Sequence, residues 1–404
     1  MWLEENWDPE VSLIEWRTRL ADSGWGRPAW PHRWCGRSLA PALSDEVAHE
    51  LTLAGAVGLA DGVGMHLAAP TILEHGDDDV KTRFVRPTVT GQITWCQLFS
   101  EPGAGSDLAG LTTTAVRDGD EWTVSGQKVW NTSAGHADYG LLLARTDWEV
   151  PKHQGLTYFL IPMRQAGVEV RPLRQMNGHA SFNEVFLTEA RVPVANVVGQ
   201  VGQGWTVART TLAHERRLAA VIGAGPVGAG AIGRVWREAA EEHRRVAAPY
   251  TWYPQRAGRV DLVIGQAVTT GCQGNPVVRQ AIAQLMATTR AAQWTAQRAA
   301  TSRALGRPPG PEGSLGKLSS STIARSASRV HSLMAGASGM LAGPDAPLAG
   351  TITEVFVSVP AVSIAGGTDE IQRNILGERI LGLPKEPDDG RHRPFRQTPI
   401  NVER

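Results

Sequence analysis

"LFSEPGAGSDLAGL" occupies Leu98–Leu111. Within it Pro102, Gly103, Ala104, Gly105 and Ser106 place small, flexible residues between two runs of strand character. Backbone N–H groups and the short hydroxyls of Ser100 and Ser106 can approach a flat or phosphorylated ligand closely at such a place. The stretch contains no G-x-G-x-x-G and no strand–helix–strand alternation surrounds it, which excludes a Rossmann reading. Its fold class has to come from what flanks it.

On both sides of this loop lie short runs rich in Thr, Val, Tyr, Phe and Trp. They are "QITWCQLFS", "TTTAVRDGDEWTVSGQKVWNTS", "YGLLLART", "GLTYFLIPM", "GVEVRPLRQM" and "NEVFLTEARVP". Turn residues separate them, and Asp118-Gly119-Asp120 reads as a hairpin turn. This block predicts a small β-barrel over 93–200. Residues 1–92 read as helical. In "DPEVSLIEWRTRLADSGW", Asp8-Pro9 is a start signal, Val11, Ile14, Trp16 and Leu20 follow at near-helical spacing, and Gly24 is a stop. Beyond Gly204 the helical pattern returns in long Ala- and Arg-rich segments, which predict a C-terminal four-helix bundle over 201–385. Residues 386–404 read as a polar tail. The fold class is α+β and multidomain, in the order α, β, α.

The bulk composition narrows the function. The chain has 404 residues, of which 42% are apolar, and Lys+Arg equals Asp+Glu at 40 each. A zero formal charge gives no reason to expect nucleic acid or an anionic membrane as partner. Cys35, Cys96 and Cys272 are far apart, with no metal-ligand or disulfide spacing, which suits a reducing cytoplasm. No uninterrupted apolar run of membrane-spanning length is expected.

Three motifs occur in order: "EPGAGSD", "SGQKVWNTSAGHADYGLLLARTD" and "GGTDEIQRNILGERI". As a set, over about residues 1–385, they resemble the acyl-CoA dehydrogenase family. The resemblance implies a flavoprotein that removes two hydrogens from the α and β carbons of an acyl-CoA thioester. FAD would take the hydride at N5, and electrons would pass to an electron-transfer flavoprotein. It further implies that Leu98 and Ser100 line the flavin ring, that Trp130 lies against it, and that Thr132 bonds near N5. Ser106 would sit close to the acyl-CoA. Thr368 and Glu370 match positions that contact FAD in relatives, although Asp369 and Glu370 are acidic and open a helix. Such carboxylates favour the helix dipole and disfavour a neighbouring phosphate.

The chemistry needs a base, because the α proton of a thioester is weakly acidic and the flavin does not take it. In the commonest family pattern a Glu directly precedes the Gly-Thr of the last motif. Here that position is Gly366, followed by Gly367. By themselves these two glycines read as a tight turn. Within the resemblance they mark an absent base and room for a bulky acyl chain. In the long-chain and isovaleryl-type members the base stands instead on the first long helix of the C-terminal bundle. "TTLAHERRLAA" puts Glu215, followed by Arg216, at the matching place. Helical spacing sets Thr211, Glu215 and Leu218 on one face.

Two departures concern the AMP half of FAD. The R-x-x-F-G segment is absent from "CQGNPVVRQAIAQL", and in "HSLMAGASGM" Leu333 and Ala337 replace a Gln and a Gly. These losses point to a hetero-oligomer in which a related chain completes the FAD site, in the manner of actinobacterial relatives whose substrates include sterol-derived acyl-CoAs. A homotetramer or dimer with a divergent adenine site is the rival. A flavin monooxygenase or oxidase of the same fold, or a flavin-poor binding subunit, are the other readings.

Overall fold

The computed structural model describes residues 1–218, 232–307, 310–385, 387 and 392–398. The chain forms two compact units. One comprises Met1–Arg174, Ala180–Tyr250 and Asp388–Arg404; the other comprises Gln175–His179 and Thr251–Pro387.

In the first unit, seven strands form one curled sheet: β1 (Trp95–Leu98), β2 (Thr114–Asp118), β3 (Glu121–Lys128), β4 (Tyr139–Arg145), β5 (Leu156–Pro162), β6 (Val168–Leu173) and β7 (Phe182–Pro193). Their order is β1-β4-β2-β3-β7-β6, with β5 on β4. β2 and β3 meet in the expected hairpin, Asp118 opposite Glu121. Gly119 takes the positive φ of 61° that the first central position of such a turn requires.

The sheet is buried on both faces where its strands alternate. Leu141 and Leu143 of β4, and Tyr158 and Leu160 of β5, point to a core shared with Leu67, Ile72, Phe84, Val207 and Ala208 from the helices. The intervening Leu142, Ala144, Phe159 and Ile161 point into the curl, against Trp122, Val124, Val185 and Leu187. A period of two thus sorts one continuous apolar run between two cores. Each fully buried Leu or Phe contributes about 2 kcal/mol. The Gly204–Leu218 helix packs on β4 and β5 and on the Ala69–His75 helix, so it belongs with the sheet.

Two local expectations are revised. The first long helix runs Leu13–Ser23 and starts after Ser12, whose side chain accepts from the Glu15 N–H; Gly24 ends it at φ 75° as expected. Asp8-Pro9 precedes the true cap because Ser12 can bond an orphan N–H of the first turn. Within 386–404, the described residues 392–398 are also less loose than their polarity suggests. Phe395 is buried, with the Arg145 guanidinium 3.5 Å over its ring, and the Phe395 N–H donates to the Val150 carbonyl at 2.9 Å.

The second unit is helical. Pro276–Ala304 and Glu312–Ala335 are its long helices, packed together around Val263, Ala267, Val278, Leu285, Ala327, Val330 and Met334. The short loop Gln175–His179 belongs here too: the His179 ring bonds Glu354 at 2.9 Å, and Asn177 donates to the Ser358 hydroxyl at 3.1 Å. Pro347–Ile380 is long and apolar enough by composition to span a membrane, with a mean hydropathy of 1.6. It is broken into Thr351–Ser358, Pro360–Ile364 and Asp369–Ile375, with the Gly366-Gly367 turn before the last. None of these pieces approaches the roughly 20 residues that a spanning helix needs.

Candidate active site

Strand β1 sets the first side of the site. Cys96 and Leu98 point into the curl, while Trp95 and Phe99 join the helix-facing core. Gln97 shares the phase of Trp95 and Phe99 and is the polar residue of that trio. Its Nε2 donates to Glu215 Oε2 at 3.0 Å. Glu215 is half-buried on the Gly204–Leu218 helix. One turn earlier Thr211 is sealed in the core, bonded to the Tyr158 and Thr71 hydroxyls at 3.0 Å each. The face read from helical spacing is thus anchored at Thr211 and reaches the edge of the core at Glu215.

The loop after β3 sets the second side. The Val129 N–H donates to the Ser100 carbonyl at 2.9 Å, which brings the loop alongside the start of "SEPGAGSD". Trp130 and Ser133 bracket Asn131-Thr132 with positive φ values of 65° and 63°. Such values are uncommon for non-glycine residues and persist only where surrounding contacts hold them. Here Asn131 and Asn183 exchange main-chain hydrogen bonds of 3.1 and 3.0 Å, and Asn183 Nδ2 donates to the Asn131 carbonyl at 2.7 Å. Asn131 Nδ2 donates to the Gln97 carbonyl at 2.7 Å. Trp130 is 57% exposed, with its edge against Phe182 at 5.7 Å. Thr132 is partly exposed. Asn131 Oδ1 is buried with no hydrogen-bond partner among the described residues.

The glycine-rich loop is tied down at its first residue. Glu101 and Ala104 exchange main-chain hydrogen bonds of 3.0 and 3.1 Å. The Glu101 carboxylate accepts from the Thr112 and Thr113 N–H groups at 2.7 and 2.8 Å and from Lys128 Nζ at 2.9 Å. Lys128 also donates to the Phe99 and Leu143 carbonyls. Burial pushes the Glu101 carboxyl up, but the Lys128 charge and the threonine hydrogen bonds prevail and hold it down at about 2. Gly105 and Ser106 stay exposed beyond this anchor.

Leu98, Ser100, Trp130, Thr132 and Glu215 therefore lie in one unit, joined through Gln97 and Asn131. The Leu98 side chain is fully buried in the curl, which leaves only its main chain for a ligand. The Arg216 side chain lies outside the described residues. Gly366, Gly367, Thr368 and Glu370 belong to the second unit. Gly366 and Gly367 have φ of 68° and 85°, and a Cβ added at Gly366 would meet nothing within 4 Å. The Thr368 hydroxyl caps the Asp369–Ile375 helix by accepting from the Ile371 N–H. Asp369 is buried between Lys317 at 3.0 Å and Arg325 at 3.2 Å, whereas Glu370 is exposed beside Arg373. The two acidic residues thus have different fates, and Asp369 is a lock between helices. A cavity of about 150 Å³ lined by Trp25, Arg27, Trp30, Val47 and Leu51 includes none of the site residues.

Sequence reasoning passed over Gln97, Asn131, Glu101 and Lys128. Two carried a signal. Gln97 is polar at a core-facing phase of an apolar strand, and Lys128 keeps the inward phase of Trp122 and Val124.

Comparison with known proteins bears directly on this arrangement. Residues 96–190 match the family model described as acyl-CoA dehydrogenase, middle domain, and residues 266–381 match acyl-CoA dehydrogenase, C-terminal domain. Acyl-CoA dehydrogenase IpdE1 of Mycobacterium tuberculosis is 34% identical over 92% of this chain and 88% of its own length. The chain belongs to the acyl-CoA dehydrogenase family. Another family member, acyl-CoA dehydrogenase FadE34 of Mycobacterium tuberculosis, is 37% identical over 91% of this chain, which spans only 46% of that relative's length. Among solved structures, the Mycobacterium tuberculosis ChsE4-ChsE5 complex is 28% identical with a TM-score of 0.66, over 93% of this chain and 90% of that one. The Tcur3481-Tcur3483 steroid ACAD is 26% identical, also at 0.66, over 93% and 89%. The middle-domain match contains Leu98, Ser100, Ser106, Trp130 and Thr132. The C-terminal match contains Gly366 through Glu370, and Glu215 falls between the two.

Proposed function

We propose that this acyl-CoA dehydrogenase family member takes two hydrogens from the α and β carbons of an acyl-CoA thioester to give the 2-enoyl-CoA, with Glu215 as the base. The observation that carries the reading is the hydrogen bond of 3.0 Å from Gln97 to Glu215, on a residue whose carbonyl also holds the Trp130–Thr132 loop. A carboxylate at the edge of an apolar core suits removal of a weakly acidic α proton. FAD, when bound, supplies the hydride acceptor.

The residues fit a flavin. A flat, exposed Trp130, a buried Asn131 Oδ1 without a partner among the described residues, and the hydroxyls of Ser100 and Thr132 suit a flat ring with polar edges. In this reading the Leu98 main chain and Ser100 line the ring, Trp130 lies against it and Thr132 bonds its edge. Thr368 and Glu370 contact the remainder of FAD. As the family resemblance implies, Ser106, Arg216, Gly366 and Gly367 contact the acyl-CoA. The relative described as a steroid ACAD supports a steroid-type acyl group.

An oligomer is part of the proposal. In the second unit Leu341, Phe356, Ile364 and Leu381 are each more than half exposed, and a partner chain would cover apolar side chains of this kind. The missing R-x-x-F-G segment and the two-chain relatives favour a related chain that supplies the AMP half of the FAD site. An electron-transfer flavoprotein would reoxidise the flavin in the cytoplasm.

The test is anaerobic flavin reduction by a panel of butyryl-, isovaleryl-, palmitoyl- and steroid-side-chain CoA esters. The reading expects one class to bleach the flavin and yield the 2-enoyl-CoA by mass spectrometry. Flavin that stays oxidised with every ester, in the chain alone and with a related partner chain, contradicts it. A full FAD complement in the chain purified alone contradicts the hetero-oligomer.

A further inference from the structure

We infer that Gln97 is a positioning residue for Glu215, and that its main chain registers this carboxylate against the Trp130–Thr132 loop. The inference rests on the reading of Glu215 as the base and adds a group that holds it.

The placement follows from strand periodicity. Trp95, Gln97 and Phe99 share the face of the sheet turned toward the helices, and Trp95 and Phe99 are buried in that core. An amide at the middle position is out of character for the core unless it has polar partners. It has them at both ends. The side-chain Nε2 meets Glu215 at 3.0 Å, and the carbonyl accepts from Asn131 Nδ2 at 2.7 Å. The backbone of Gln97 is itself fixed in the parallel ladder with β4, opposite Leu141, between the pairs Cys96–Gly140 and Leu98–Leu142. One rigid residue thus sets both the carboxylate and the aromatic loop.

An amide is also the appropriate donor for a base. It fixes the carboxylate rotamer and stabilises the anion, yet brings no charge. A Lys or Arg at this position would depress the carboxyl much further and weaken it as a proton acceptor. Other titratable groups stand on the elements packed around this helix. His66 pairs with Asp61, Glu74 and His75 reach Thr210, and Tyr158 bonds Thr211. Tyr139 and the buried Arg145 lie on β4, and Arg209, His214, Arg216 and Arg217 lie on the helix itself.

Removing the donor destabilises the anion, so the Glu215 carboxyl must titrate higher. The experiment is a ¹³C NMR titration of the FAD-loaded enzyme labelled at Glu carboxyls, with the Glu215 signal assigned by its loss in Glu215→Gln. In Gln97→Leu the Glu215 midpoint is expected to rise by about one pH unit. The isosteric Gln97→Glu, which puts a like charge beside it, is expected to raise it further. The pH at half-maximal flavin reduction, measured with the CoA ester the parent uses, moves by the same amount. A Glu215 midpoint that is unchanged in both variants overturns the inference and leaves the base reading intact. If Glu215→Gln reduces flavin at the parent rate, the base reading falls and the inference falls with it, whatever the titration shows.

Discussion

Lys128 Nζ lies 2.9 Å from Glu101 Oε1, and neither side chain is more than 6% exposed. The pair fastens the root of the 101–106 loop, which follows the strand that holds Gln97, to β3. Lys128→Met leaves a buried carboxylate without its counter-charge and should destabilise the fold by about 3–5 kcal/mol. Denaturant unfolding at pH 7 measures this. The double variant Glu101→Gln/Lys128→Met should recover part of the loss, because no charge is then left buried and unpaired.

The same pair makes stability depend on acid. The Glu101 carboxyl is held at about 2, against an ordinary value of 4.5. A group depressed on folding contributes stability that is complete above the unfolded value and lost as pH falls through the folded one. The window therefore runs from above 4.5 down to about 2. Across it the contribution amounts to about 3 kcal/mol. Denaturation midpoints recorded along this pH series should fall more steeply for the parent than for Glu101→Gln.

Trp130 is more than half exposed and gives its edge to Phe182, so the fold gains little from its ring. Trp130→Ala should change unfolding free energy by no more than about 0.5 kcal/mol. If the exposed ring is where a flavin rests, FAD affinity should fall about tenfold. Fluorescence titration with FAD and a thermal melt separate the two effects.

Gly366 and Gly367 differ in what a side chain would meet. Gly366→Ala adds a Cβ in open space, and only its φ of 68° opposes the change, at about 1–2 kcal/mol. Gly367→Ala carries a similar φ penalty and sets its Cβ 2.7 Å from Gln372 Nε2, which donates to the Gly366 carbonyl. It should be the more destabilising by about 1 kcal/mol. Paired melts of the two variants give the order.

The strands were legible because runs rich in Thr, Val, Tyr, Phe and Trp are separated by turn residues; that the apolar run Leu141 through Ala144 is shared between two cores shows only in the fold. The Asp118–Glu121 hairpin was legible for a local reason of its own, a glycine where φ must be positive. What was not legible depends on partners distant in the chain. Phe395 sits in a polar sequence, and only the Arg145 guanidinium waiting across the fold explains its burial. Asp369 reads as a helix-start carboxylate until Lys317 and Arg325 close on it. Glu215 was inferred from its place in a family pattern, but its hydrogen bond to Gln97, 118 residues earlier, has no signature in local spacing. Gln97 could have been noticed only as a polar residue in an apolar phase.

Substitution of the carboxylate itself tests the central claim most directly. Glu215→Gln keeps the size of the side chain and removes its ability to take a proton. Rapid-mixing measurement of flavin reduction, with the FAD-loaded variant and the CoA ester the parent oxidises, should show a rate lower by about 10²- to 10⁴-fold. Binding of the ester and of FAD should be retained. A variant that carries its full FAD and reduces it at the parent rate would contradict the account, because the base would then stand elsewhere.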